Sequence, residues 1–164
     1  MFVLIYRRKQ PRKENITMKN NPSVITSLIT AFLLSAVLLL LAFTAPLLTN
    51  MFIDYFERPA AIFKPIVITF YTILPLAAGV LVCLIKLLFN IVADDVFIKE
   101  NVTLLRAISI LLAIATFGFA VSGYFYMPFY ILAAFAAFMV IIVRVVKNCF
   151  AAAVILKDEN DMTI

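Results

Sequence analysis

The chain has no histidine, no tryptophan and only three glycines among its 164 residues. Without histidine, the commonest general base and the commonest metal ligand are both missing, and no Ser-His-Asp set can be assembled. Three glycines leave no glycine-rich phosphate loop. The two cysteines, Cys83 and Cys149, are far apart, match no zinc or redox spacing, and read as buried, inert thiols. No serine lies at the depth of a basic residue in a way that suggests a Ser-Lys dyad. Charge is also scarce: 14% of residues are Asp, Glu, Lys or Arg, against about a quarter in soluble domains. Together these absences argue for a protein that is not an enzyme and carries no cofactor and no metal.

What is abundant is apolar surface. The composition is 65% hydrophobic, with a mean hydropathy of +1.11. This is the signature of an integral membrane protein, and the length suits one membrane domain. The runs 24–48, 66–89, 104–122 and 129–146 read as four spans. The first run alone reaches ~37 Å as a helix, enough to cross a bilayer with some tilt. Asn21 and Pro22 are start signals for it, and Pro46 and Asn50 mark its expected far end. Pro75, inside the second run, is expected to kink that helix. The short link 123–128 makes the last two spans an antiparallel hairpin. Residues 1–22 form a basic N-terminal arm, and Met18 offers a second start. Residues 23–164 form the membrane domain, with a helical extension and acidic tail over 147–164.

The net charge of +5 is explained by topology, and direct nucleic-acid binding is not expected. Twelve of the fourteen basic residues fall in the N-terminal segment, in the middle loop and its flanks (Lys86, Lys99, Arg106), or at the C-terminal end (Arg144, Lys147, Lys157). The positive-inside rule then places both termini in the cytoplasm. Tyr55, Tyr71, Tyr124, Tyr126 and Tyr130 fall toward the opposite interface, as an aromatic belt does. The fold expected is therefore all-α: an integral membrane four-helix bundle of antiparallel spans.

No ionisable residue lies near the middle of a span, where it would signal function. The hydroxyls of Ser35, Thr69, Thr72, Ser109 and Thr116 are expected to bond back to their own helices. Gly118 and Ser122 in span three, and Ala133 and Ala137 in span four, are small residues four apart. They suit close packing of those two spans within one bundle, and a homodimer face is the alternative use.

The middle loop reads NIVADDVFIKENVTLLR, with apolar Val96, Phe97 and Ile98 set among polar residues. Asn101 or Thr103 suits the cap of span three, and Glu100 suits its N-terminal end. The chain closes on AVILKDENDMTI. The motif Phe97, Glu100 and Asn101, the following Leu105 and Arg106, and the terminal Leu156, Glu159, Asn160, Asp161, Met162, Thr163 and Ile164 resemble a bacterial four-span membrane family, domain of unknown function 2975. The resemblance covers roughly residues 23–164. Met162 stands where Leu is usual, and Asp95 and Val96 stand where a Gly-containing pair often precedes the Phe.

Members of that family are often encoded beside a very small helix-turn-helix regulator. The resemblance thus implies a regulatory protein of the bacterial cytoplasmic membrane that tethers or sequesters such a regulator. Phe97, Glu100, Asn101, Arg106, Asp158, Glu159, Asp161 and Ile164 are its candidate contacts. An acidic tail can engage a basic DNA-binding surface by charge complementarity. It can equally fold back on Arg106, Arg144 and Lys147, or end in solvent. The alternative functions are a small transport or efflux subunit, or an immunity protein against a membrane-active compound.

Overall fold

The computed structural model describes residues 22–93 and 95–161; residues 1–21, assigned above to a basic arm, lie outside the described residues. The elements are α1 (Pro22–Tyr55), a short 3-10 turn (Ala60–Ile62), α2 (Phe63–Val92), α3 (Lys99–Gly123) and α4 (Pro128–Asp161). All four helices are long and apolar enough to cross a membrane. In hydrocarbon every backbone N–H and C=O must be paired internally, which a helix achieves within one segment. The described residues are all-helical, and the chain is a multi-pass membrane protein.

Each helix contains its expected apolar run and outgrows it. α1 and α4 have 34 residues each, about 51 Å, against a hydrocarbon core of about 30 Å. α1 does not stop at Pro46 but continues through it to Tyr55. Proline has no N–H, so the carbonyl four residues earlier loses its helical donor. That carbonyl belongs to Ala42, and the Tyr71 hydroxyl on α2 donates to it at 3.0 Å. A side chain from the next helix thus supplies the donor that the proline lacks. α2 likewise remains one helix through Pro75.

The helices pack in chain order, α1 on α2, α2 on α3 and α3 on α4. On α1 the buried residues Ala31, Ala45, Thr49 and Ile53 recur at intervals that keep them on one face. Thr49 returns its hydroxyl proton to the Ala45 carbonyl at 2.8 Å, so it enters that stripe with no unmet donor. Between α2 and α3, Gly79 lies against Leu111 and Gly118 against Ile73; a Cβ on Gly118 would come within 2.9 Å of the Ile73 side chain. The Thr69 and Ser122 hydroxyls meet at 2.7 Å across the same seam. Gly118 and Ser122 therefore serve the α2–α3 contact, whereas the spacing suggested spans three and four. Spacing marks a helix face but not the neighbour that fills it.

The α3–α4 seam is built from other residues. Gly123, at the end of α3, receives the Tyr130 ring from the start of α4. Phe119 stacks with Phe129. Further along, the Arg144 Nε donates to the Ser109 hydroxyl at 3.3 Å. Ala133 is buried and Ala137 partly so. Thr72 and Thr116 bond back to their own helices as expected. Ser109 instead accepts from a neighbour, so a serine does lie at the depth of a basic residue. This makes no catalytic dyad, because a guanidinium keeps its proton and cannot act as a base. Cys83 is half-buried, but Cys149 is exposed, which corrects the expectation of two buried thiols.

Candidate functional site

The most specific polar architecture lies where α2 passes to α3. α2 ends on Ala93, whose N–H reaches back to the Phe89 carbonyl. The Asp95 N–H then bonds the Asn90 carbonyl at 2.9 Å, folding the chain back over the helix end. Asn101, in the first turn of α3, is fully buried. Its Oδ1 accepts from Asn90 Nδ2 at 2.7 Å, and its Nδ2 donates to the Asp95 and Val96 carbonyls, each at 2.8 Å. One side chain thus ties the last turn of α2, the loop and the first turn of α3 together. Its amide makes one accepted and two donated bonds, which accounts for both of its N–H donors.

Asn101 is therefore not the cap of α3. The residue at the cap position is Ile98, in extended conformation and with no side-chain cap bond. Thr103 does not cap either, since its hydroxyl returns to the Lys99 carbonyl. The loop's polar side chain is spent on closing the loop, and Glu100 in the first turn of α3 faces the positive end of the helix.

The long α4 completes the site. Counted from Phe129, Arg144 lies roughly 22 Å along the helix, and the remaining turns run well beyond a hydrocarbon core. That extension is packed: Val154 is buried, Phe150 meets the Phe97 ring at a centroid distance of 5.8 Å, and Asp158 pairs with Lys99 at 3.2 Å. The tail residues thus continue α4 as helix to Asp161 and lie beside the α2–α3 loop. Folding back on Arg106, Arg144 and Lys147 is one of the expectations above. None of those three has a described carboxylate within ion-pair distance, and Lys99 takes that place.

The structure brings Phe97, Asn101 and Asp158 to one end of the molecule, with Asn101 fully buried beneath the surface and Glu100 and Glu159 exposed on the adjoining helix turns. Arg106 is exposed further along α3. Ile164 and the side chain of Asp161 lie outside the described residues. Sequence reading missed Asn90, Lys99 and Phe150. Asn90 carried a signal, an amide at the end of an apolar run, but its partner eleven residues away was not deducible. Among the described residues, no group of three His, Cys, Asp or Glu side chains gathers in a way that could hold a metal ion.

No curated protein and no solved structure matches the chain. One family model does, and it matches residues 28–164, nearly all of the membrane domain and the whole loop-and-tail face. The chain belongs to the family described as protein of unknown function DUF2975.

Proposed function

We propose that this protein is a non-enzymatic regulatory partner in a bacterial cytoplasmic membrane, and that it tethers a small cytoplasmic helix-turn-helix regulator. In this reading its four spans are antiparallel and both termini are cytoplasmic, as the distribution of basic residues favours. The observation that carries the proposal is the union of two distant segments. The α2–α3 loop and the end of α4 are joined by the Phe97–Phe150 contact and the Lys99–Asp158 pair. Their joint surface, which in this reading stands on the cytoplasmic side, carries the exposed Glu100 next to the Lys99–Asp158 pair. Such a surface complements a basic DNA-binding face, and charge complementarity orients and speeds the encounter. The family resemblance supplies the class of partner.

Crosslinking in native membranes tests this, comparing the full chain with one ending at Leu156 after both are shown to insert and accumulate equally. Capture of a small helix-turn-helix protein only by the full chain is the expected result. Equal capture by both forms would move the contact to the loop. Capture by neither would overturn tethering, and solute flux in liposomes or loss of resistance on deletion would then be the properties to measure.

A further inference from the structure

At the opposite end of α2 and α3 from the Asn101 clamp, a groove of about 550 Å³ opens between the two helices. Its size lies within the range of small-molecule sites, roughly 300–1,000 Å³. Its walls are apolar, with Ile68, Phe117, Val121 and Phe125 exposed along its length. Its polar groups are few and ordered by depth. Lys64, the second residue of α2, stands at one end. No described carboxylate lies within ion-pair distance of it. About 7 Å further along the helix, by rise per residue, come the paired hydroxyls of Thr69 and Ser122.

That pair is adaptable. Each hydroxyl has one proton. The Thr69 oxygen lies 2.8 Å from the Pro65 carbonyl and 2.7 Å from the Ser122 hydroxyl. With the groove empty of acceptors, Thr69 donates to Pro65 and Ser122 donates to Thr69. When an acceptor enters, Thr69 can turn to Ser122, and Ser122 can donate to the newcomer. A cation at the interface, hydroxyls just below it and an apolar trough beyond follow the order of phosphate, ester and acyl chain in a phospholipid.

We propose that this groove binds an anionic phospholipid from the leaflet at that end of the helices. Its phosphate lies on Lys64, its ester region at Thr69 and Ser122, and one acyl chain along Ile68 and Val121. This assignment does not depend on the regulatory reading above or on which side of the membrane that end faces.

The chain has no tryptophan, so one introduced indole reports alone. Phe125→Trp places it on the exposed edge of the groove, and Phe43→Trp places it on a highly exposed ring of α1 as a control. The full chain is reconstituted in phosphatidylcholine containing a small fraction of lipid with brominated acyl chains, either phosphatidylglycerol or phosphatidylcholine. Brominated phosphatidylglycerol is expected to act as though enriched about fivefold at the groove, the scale one basic residue supports near a surface. The control should quench equally with both lipids. Lys64→Gln in the Phe125→Trp chain should abolish the preference. Equal quenching by the two lipids at the groove overturns the proposal, as does a preference that survives Lys64→Gln. Reversal by inorganic phosphate, or equal quenching by a brominated free fatty acid, would overturn the assignment to a phospholipid.

Discussion

At the end of the molecule that holds Tyr55, Tyr126 and Phe129, the helices meet through rings. Phe52 contacts Phe56 and Tyr126, Tyr126 contacts Phe129, and Tyr130 lies on Gly123. At the end that holds the α2–α3 loop, they meet through a buried amide, three hydrogen bonds and an exposed ion pair. The difference follows from what each kind of contact can do beside lipid. Lipid tails are as apolar as the helices, so apolar contact alone scarcely selects one neighbour over another. The aromatic end therefore relies mainly on shape, a glycine against a ring and edges against faces, with one polar contact, between the Thr69 and Ser122 hydroxyls, across α2 and α3. The loop end relies on polar groups that lose their partners if the arrangement changes, which is costly when they are buried.

The largest effect is expected at Asn101. Asn101→Ala removes partners from Asn90 Nδ2 and two loop carbonyls, all in a part-buried setting, where a fully buried unmet group costs about 1–3 kcal/mol. A destabilisation of at least about 2 kcal/mol is expected in denaturant titration of the detergent-solubilised protein. A cost below about 1 kcal/mol would show that water enters the loop and that the clamp is not what holds this end.

At the aromatic end, Gly123→Val is expected to cost about 2 kcal/mol by overpacking, because a Cβ there would lie 2.7–2.8 Å from three atoms of the Tyr130 ring. Tyr130→Ala in the same chain should recover most of that loss. Failure of the second change to recover stability would mean that the glycine serves something other than the ring.

Between the two ends, Tyr71→Phe leaves the Ala42 carbonyl without its donor and should cost about 1 kcal/mol. The same change in a Pro46→Ala chain should cost measurably less, because that substitution restores the helical N–H. Equal costs in both backgrounds would separate the hydroxyl from the proline.

Asp158→Asn is the mildest change. Lys99 is largely exposed, and exposed pairs contribute about 0–1 kcal/mol. A shift of no more than about 0.5 kcal/mol is expected, and it should vanish in high salt. A larger, salt-insensitive effect would mean that the pair is shielded by a neighbour.

Legibility differed by kind of contact. The four spans were readable because apolar runs of this length have one stable form in a bilayer. The ends of the helices were not. Pro46 and Asn50 are stop signals in isolation, yet α1 passes both, and Tyr71, 29 residues beyond Ala42, donates to the carbonyl that Pro46 leaves free. Asn101 stood out as a polar residue at the start of a span, and a cap was the local inference. Its actual bonds, to Asn90 and to two loop carbonyls, depend on how the loop turns back. The acidic tail was legible as charge beside a helical extension, but Lys99 was not legible as its partner.

Hydropathy alone makes this a helical membrane protein with four spans, because apolar runs of about twenty residues in a bilayer must pair every backbone group within the run. Which faces meet emerges only in the folded bundle: Gly118 and Ser122 against α2, Tyr130 on Gly123, and the end of α4 on the α2–α3 loop. The physical reason is that periodicity along a helix specifies a direction around its own axis, whereas its neighbour is chosen by shape and by donors and acceptors on other helices.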